Sequence, residues 1–220
     1  MSNPDSRHPA PDFRLIAIVD PRDLGARDYR DALRAAQAGG ATAIQVRMKH
    51  ASAGALLRAT EEALSVLDIP VYVNDRADVA LAAGAHGVHL GADDLPPDDV
   101  GRLTVQPFRI GVSVGSPAEA AAVRPAPVRY WSLGPAYATG SKSDAGAPLE
   151  VEGFAALARL APPGMPVIAI GGVTAENAGP LMAAGASGVA VIRAVFGAPD
   201  IAQAASRLRK VLDEGFSTGG

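Results

Sequence analysis

The sequence predicts an α/β fold, a single (β/α)8 TIM barrel, on three observations. Eight short apolar runs alternate with longer Ala- and Leu-rich stretches that have helical spacing. Most of the short runs are continuously apolar, which is typical of parallel strands covered on both faces. One motif, a helix that ends at a glycine and is followed directly by a strand, occurs at 39–44, 83–88 and 184–189. These repeated units favour a closed parallel barrel over an open, doubly wound sheet.

The predicted strands are short runs rich in Val, Ile and Leu. In chain order they cover 15–19, 43–47, 71–74, 87–90, 110–113, 130–133, 167–170 and 189–192. Helices are predicted at 28–38, 52–66, 77–83, 117–123, 151–159, 175–183 and 200–213, with a weaker one at 97–103.

Polar residues just before several of these helices are expected to cap their N-termini, because a side-chain oxygen there accepts an otherwise unpaired backbone N–H. They are Asp28, Ser52, Asp93, Ser116 and Thr174. Glu119 stands three residues after Ser116, which is the spacing of a capping box.

Composition limits the classes of protein that the chain can belong to. The 220 residues are 48% hydrophobic and no Pro/Ser-rich linker interrupts them, so one core is expected at 13–213, between flexible tails at 1–12 and 214–220. The chain has no Cys, which excludes disulfides, thiolate nucleophiles and Cys-ligated metals. A net charge of −3 argues against a general nucleic-acid binder.

No apolar run approaches the roughly 20 residues that span a bilayer. The polar start of the chain also lacks the apolar region of a signal peptide. We therefore expect a soluble, cytoplasmic protein without membrane partners. Its Ala-rich outer surface permits a homo-oligomer without requiring one.

Polar residues collect directly after the predicted strands, and in a barrel those positions form the mouth where active sites lie. Taken singly, each is more simply interpreted as a solvated loop residue or a cap, so the prediction depends on their convergence at one end. They are Gln45, Arg47, Lys49, Asn74, Asp75, Arg76, His89, Asp93, Asp94, Ser113, Thr139, Ser141, Lys142, Gly171, Gly172 and Arg193.

Two anion sites and one cation site are expected among them. Gly171 and Gly172 precede a helix, where backbone N–H groups can meet a phosphate, and the turn at 192–194 adds more. The loop at 134–142 contains hydroxyls and a Lys that can wrap a second phosphate or a pyrophosphate. Asp75 and Asp94 follow neighbouring strands and can share Mg²⁺, which favours one or two carboxylates plus phosphate oxygens.

Five motifs in this order resemble the thiamine phosphate synthase family over residues 14–212. The motifs are Ile-Gln-Val-Arg-Met-Lys at 44–49, Val-Asn-Asp-Arg at 73–76, Gly-Val-His-Leu-Gly-Ala-Asp-Asp at 87–94, Gly-Pro through Thr and Lys at 134–142, and Ala-Ile-Gly-Gly-Val at 169–173. The resemblance implies a barrel enzyme in which the nitrogen of a thiazole phosphate displaces pyrophosphate from hydroxymethylpyrimidine pyrophosphate.

The resemblance also implies roles for individual residues. Asp75 and Asp94 match the Mg²⁺ ligands, and Gln45 matches a residue beside the pyrimidine. Gly172, Ile192 and Arg193 match the turn that binds the thiazole phosphate, and Gly171, next to Gly172, is expected to bind there as well. The positions that hold the pyrophosphate are matched by Lys49, Asn74, Ser113, Thr139 and Lys142, with Arg47 near it, and the hydroxyl of Ser141 in the same loop is expected to join them. Of these, Lys49, Ser113 and Lys142 are the expected catalytic residues.

The sequence departs from the family pattern at three places. Ala92 stands where a Gln is usual, Gly115 where a His is usual, and Arg193 where a Ser is usual. These departures bear on substrate preference and rate more than on the class of reaction.

Three alternatives remain at this point. The nearest is a thiazole tautomerase of the same superfamily, but that branch relies on a His at the position of Gly115. A non-catalytic barrel that binds a thiamine precursor would need no metal. A sugar-phosphate epimerase or lyase would need an acid–base pair, which we do not find in the sequence.

Overall fold

The computed structural model describes residues 12–104, 108–140 and 146–217. Within these ranges eight parallel strands form a closed barrel in chain order, and β1 pairs with β8 to complete the ring. The predicted fold is therefore confirmed. The strands are β1 (Leu15–Val19), β2 (Ala43–Val46), β3 (Val71–Asn74), β4 (Gly87–Leu90), β5 (Arg109–Val114), β6 (Tyr130–Leu133), β7 (Val167–Ile170) and β8 (Gly188–Val191).

Helices follow the strands and cover the outside of the barrel, after a short 3-10 helix at Pro21–Leu24. They are α1 (Tyr29–Ala38), α2 (Ala53–Val66), α3 (Ala77–Ala83), α4 (Pro97–Leu103), α5 (Pro117–Val123), α6 (Glu150–Ala158), α7 (Ala178–Ala183), α8 (Arg193–Phe196) and α9 (Ile201–Ser217). None of them, within the described ranges, has the length and apolarity needed to cross a bilayer.

Three of the five expected caps are present. The side chains of Asp28, Ser52 and Ser116 accept hydrogen bonds from the backbone N–H three residues later, at 3.0, 3.2 and 3.2 Å. Glu119 does not complete a capping box, because its side chain reaches one residue further back and accepts the N–H of Gly115, at 2.7 Å, instead of that of Ser116. Local spacing predicts these caps well, because all the atoms involved lie within one turn.

The caps expected from Thr174 and Asp93 are wrong. Helix α7 begins only at Ala178, because Asn177 accepts the Thr174 N–H at 2.7 Å and closes the preceding turn instead. Helix α4 begins after Pro96, and no side chain caps it. The last helix also runs to Ser217 rather than 213.

The three repeated glycine motifs have the expected geometry. Gly40, Gly84 and Gly185 have φ values of 101°, 69° and 101°. A residue with a side chain rarely adopts this left-handed conformation, so glycine allows the chain to leave the helix and enter the next strand at once.

Side chains inside the barrel form an apolar floor below a largely polar layer. Phe13, Tyr72 and Tyr130 pack in the floor, and the ring centroids of Phe13 and Tyr130 are 4.7 Å apart. Because strand side chains alternate, the next inward positions lie one layer nearer the mouth. This mouth layer consists of Ile18, Gln45, Asn74, His89, Ser113, Ser132, Ile170 and Ile192.

Candidate active site

Gln45 and Asn74 form a buried amide pair in the mouth layer. Gln45 is only 2% exposed, and its Nε2 donates to Asn74 Oδ1 at 2.8 Å. Because the Asn74 carbonyl is occupied in this way, its NH2 group is left to donate. The pair comes from adjacent strands, β2 and β3, and it orients an amide donor at the mouth.

Asp75 and Asp94 lie close together at the ends of β3 and β4. The Asp75 backbone is left-handed, with φ 66°, and its N–H donates to the His89 carbonyl at 2.8 Å. Asp94 Oδ2 accepts the Gly91 N–H at 2.6 Å. Burial, and then the neighbouring Asp94 carboxylate, raise the pKa of Asp75 to about 6 from 3.8. The two carboxylates therefore repel each other, a repulsion that a cation would relieve.

Two cationic side chains from the segment after β2 lie near enough to Asp75 to act on its carboxylate. Lys49 and Arg47 act on Asp75 in the opposite sense and lower its pKa. Arg47 is half-buried and also faces Asp20, whereas Lys49 is exposed. The structure thus brings together four residues from three connections, those after β2, β3 and β4, with two anionic and two cationic groups in one mouth.

Ser113, on β5, meets a residue for which the sequence analysis assigned no role. His89 Nε2 lies 2.9 Å from Ser113 Oγ, and His89 Nδ1 lies 3.0 Å from the Tyr130 hydroxyl. The sequence places His89 at the mouth but gives no sign of its partners. Tyr130 is 41 residues away along the chain and becomes a neighbour only through the barrel register.

The two predicted anion loops are packed against each other. Gly171 and Gly172 have φ values of 94° and 67°, and a Cβ on either would lie 2.7 Å from an atom of the 134–140 loop. Backbone bonds join the two segments, with the Tyr137 N–H donating to the Gly171 carbonyl at 2.9 Å. Only glycine allows this approach, so these residues shape both loops at once.

Free backbone donors accompany this turn. The N–H groups of Gly171, Gly172 and Ile192 make no hydrogen bond with any other residue in the described part of the chain. The guanidinium of Arg193 lies beside the 134–140 loop, where Nη2 would be 3.6 Å from a Cβ on Gly140. Thr139, next to Gly140, is half-buried. Ser141 and Lys142 lie outside the described residues and remain predictions.

The donor set fits a magnesium ion completed by substrate. No cluster of three or more His, Cys, Asp or Glu that could hold a metal is found in the described ranges. Two carboxylates, Asp75 and Asp94, are nevertheless adjacent. Mg²⁺ is commonly held by one or two carboxylates together with water and phosphate oxygens, whereas a transition-metal site would need more protein ligands.

A cavity of about 610 Å³ lies away from this mouth, near the start of β5. Arg102, Phe108 and Arg129 are among the residues that line it, and none of the predicted site residues does so.

Comparison with known proteins decides the family. Residues 15–195 match the family model described as thiamine monophosphate synthase. The chain belongs to this family. It is 40% identical to a thiamine-phosphate synthase of Azorhizobium caulinodans over 206 residues, which cover 92% of this chain and 96% of that protein. It is 44% identical to one from Methanoregula boonei over 199 residues, covering 89% and 91%.

A solved member of the thiamine monophosphate synthase family has the same architecture. The thiamine phosphate pyrophosphorylase of Pyrococcus furiosus is 33% identical, with a TM-score of 0.83 over 94% of this chain and 98% of that chain. A 3-hexulose-6-phosphate synthase also superposes, with a TM-score of 0.65 over 90% of this chain and 99% of that one. At 19% identity, that likeness shows the barrel fold alone.

Proposed function

We propose that this chain forms thiamine phosphate from hydroxymethylpyrimidine pyrophosphate and thiazole phosphate, with Mg²⁺, and releases pyrophosphate. Family membership supports the class of reaction, a transfer. The observation that carries the proposal is the convergence of Asp75 and Asp94 with Lys49 and Arg47 in one mouth. This arrangement suits a strongly anionic group held through a divalent cation.

The reaction exchanges one bond for another and involves no oxidation or reduction. The bond between the exocyclic carbon of the pyrimidine and the pyrophosphate oxygen breaks, and the oxygen keeps the electron pair. The thiazole nitrogen supplies the pair for the new carbon–nitrogen bond. Because that nitrogen carries its lone pair already, no protein nucleophile or strong base is required.

The residues around the leaving group would stabilise the charge that it gains. Asp75 and Asp94 would hold the magnesium ion, which, when bound, neutralises charge on the pyrophosphate. Lys49 and Arg47 contribute positive charge, and the Asn74 NH2 group and Ser113 contribute hydrogen-bond donors. Thr139 and Lys142 are assigned to the same anion on the family resemblance, and Ser141 is assigned to it because its hydroxyl belongs to the same loop segment of the sequence.

The thiazole phosphate is assigned to the turns that follow β7 and β8. Support comes from the N–H groups of Gly171, Gly172 and Ile192, which have no hydrogen-bond acceptor in the described residues. Unpaired N–H groups of this kind form anion-binding concavities. Arg193 adds a guanidinium, which pairs well with phosphate. Gln45, buried in the mouth layer, is assigned to the pyrimidine.

A direct assay tests the proposal. Purified protein is mixed with both precursors and Mg²⁺, and thiamine phosphate and pyrophosphate are measured. The two products are expected in equal amounts. Omitting either precursor is expected to abolish both products, and adding a chelator is expected to stop the reaction. Isomerisation of a thiazole without pyrophosphate release would instead support the tautomerase alternative, and binding without turnover would support the non-catalytic one.

A further inference from the structure

Three side chains form a hydrogen-bonded chain from the floor of the barrel to its mouth. The Tyr130 hydroxyl lies 3.0 Å from His89 Nδ1. On the other side of the ring, His89 Nε2 lies 2.9 Å from Ser113 Oγ. The His89 and Tyr130 rings are nearly parallel, with centroids 5.6 Å apart. The chain therefore connects a buried phenol with a hydroxyl that belongs to the candidate active site.

The buried phenol of Tyr130 determines which group donates and which accepts in this series of hydrogen bonds. Tyr130 is 1% exposed, and its hydroxyl has no other hydrogen-bond partner in the described ranges. Burial raises the pKa of Tyr130 well above its ordinary value, so the phenol keeps its proton. A buried O–H without an acceptor is costly, and therefore the Tyr130 hydroxyl must donate to His89 Nδ1.

The donation from Tyr130 also determines the donor in the hydrogen bond between His89 and Ser113. A neutral imidazole has one N–H and one acceptor nitrogen, so a ring that accepts at Nδ1 carries its hydrogen at Nε2. The His89 Nε2–H group consequently donates to Ser113 Oγ. The hydroxyl hydrogen of Ser113 is then directed away from the imidazole.

The neighbouring strand leaves room for this arrangement. Gly111 is paired with Tyr130 in the register of β5 and β6. A Cβ on Gly111 would lie 2.0 Å from Tyr130 Cζ, so any side chain there would displace the phenol ring. The position of the phenol thus depends on a glycine two residues before Ser113.

We propose that Tyr130 and His89 are positioning residues that make the Ser113 hydroxyl a hydrogen-bond donor toward the pyrophosphate. The inference rests on the proposed function only for the identity of the anion that Ser113 meets. The tautomer of His89 and its dependence on Tyr130 follow from the contacts alone. Two experiments therefore separate the parts of the proposal.

The first experiment measures the His89 tautomer by ¹⁵N NMR, with the ring signals assigned by comparison with His89→Gln. The expected result is a neutral ring protonated at Nε2. Tyr130→Phe removes the donor and is expected to shift the ring toward a mixture of tautomers. The matched control is Tyr72→Phe, because Tyr72 is also buried in the floor, but the hydroxyl that lies against His89 Nδ1 is that of Tyr130.

A wild-type ring protonated at Nδ1, or a tautomer that Tyr130→Phe leaves unchanged, would overturn the proposal. These outcomes do not depend on turnover. An inactive wild-type protein with the expected tautomer would therefore contradict the proposed function and leave the orientation of the hydrogen bonds standing.

The second experiment is a double-mutant cycle on turnover. Tyr130→Phe is expected to lower kcat roughly 10-fold, with the KM for thiazole phosphate unchanged, because one oriented donor to the leaving group is weakened. In a Ser113→Ala background the same change is expected to have no further effect. An equal loss in both backgrounds, at unchanged thermal stability, would show that Tyr130 acts independently of Ser113.

A second pair of variants guards against misfolding of Tyr130→Phe. His89→Gln places an amide near the position of Nε2, where it can still donate to Ser113, whereas His89→Asn places its amide near Nδ1. The Gln variant is expected to keep about 10-fold more activity than the Asn variant. Equal activities would contradict the assigned donor.

Discussion

Asp75 combines two unusual features at a single residue. Its backbone is left-handed, with φ 66°, which Asn and Asp tolerate better than most residues. Its side chain is half-buried and faces another carboxylate. In the cation-free protein, this carboxyl therefore favours its protonated form more when folded than when unfolded.

This difference predicts a dependence of stability on pH. The pKa of Asp75 is about 6 when folded and has an ordinary value of 3.8, so its protonated form stabilises the folded state. That contribution is fully present below about pH 4 and is lost as the pH rises through about 6. Thermal unfolding midpoints of Asp75→Asn and of wild type are therefore compared without Mg²⁺. The difference, variant minus wild type, should increase from pH 4 to pH 7.

The variant is suited to the measurement because Asn keeps the shape of the side chain and accepts the left-handed backbone. Asp93→Asn, at an exposed neighbouring carboxylate, is the matched control and should give a flat difference. A flat difference for Asp75→Asn as well would show that neither burial nor the neighbouring Asp94 raises the pKa of Asp75 in the folded protein.

Replacing Asp94 should change the Mg²⁺ concentration that the reaction needs. Asp94→Asn keeps an oxygen that can accept the Gly91 N–H, but removes the negative charge. We expect the Mg²⁺ concentration for half-maximal activity to rise about 10-fold or more, because a hard cation loses one of two carboxylates. Magnesium titrations of the variant and of Asp93→Asn measure this. A titration curve identical to that of wild type would contradict the role of Asp94.

Single residues were predictable where their partners are close in sequence. The caps at Asp28 and Ser52 involve atoms three residues away, and spacing alone identified them. Thr174 was wrongly predicted as a cap, because residues 174–177 form a turn in which the Asn177 side chain accepts the Thr174 N–H, and helix α7 begins only at Ala178. The contact of His89 with Tyr130 depends on the register of three strands, which no local pattern specifies.

At the scale of elements, the β6–α6 and β7–α7 connections form one unit. The sequence suggested two separate anion loops, whereas the structure joins them through the glycine pair and backbone hydrogen bonds. This packing could not be predicted from the sequence, because a Gly-Gly pair is equally compatible with a tight turn that touches nothing. A change in either connection is therefore expected to affect both.

Arg193 connects helix α8 with this unit and offers a test. Arg193→Ser introduces the residue that is usual in the family, and we expect the KM for thiazole phosphate to rise roughly 10-fold, since a charge-assisted contact with phosphate is lost. Steady-state kinetics with each substrate varied in turn measure it. Arg193→Lys should recover part of the loss.

The control for Arg193 is Arg159→Ser, at an exposed position after α6. It should leave both KM values unchanged. If Arg193→Ser raised the KM for the pyrimidine substrate alone, Arg193 would belong to the pyrophosphate site instead.

At the scale of the whole molecule, the first and last parts of the barrel are held together by more than the β1–β8 pairing. Arg27, before α1, donates through Nη1 to the Ala198 carbonyl at 2.7 Å and through Nη2 to the Phe196 carbonyl. Arg14 similarly pairs with Asp213 of α9 at 2.8 Å. The order of strands was predictable from their repeat, but these contacts between distant segments were not.

Arg27→Ala should therefore destabilise the closed barrel. We expect a loss of about 1–3 kcal/mol in the free energy of unfolding, because carbonyls at the end of α8 lose a charged donor. Chemical denaturation measures it, and Arg30→Ala, at an exposed position on α1, should change stability by less than about 0.5 kcal/mol. Equal stabilities of the two variants would show that the Arg27 contacts do not contribute to closure.

The polar and the apolar side chains of the mouth layer lie on different sides of the entrance. Strands β2 to β6 supply amides, an imidazole and hydroxyls, while β7, β8 and β1 supply the isoleucines Ile170, Ile192 and Ile18. A reactant with a charged end and a flat, apolar end thus meets a polar half and an apolar half of the rim. We expect each reactant to be admitted in one orientation only, which would present its reacting atom to the other before any catalytic group acts.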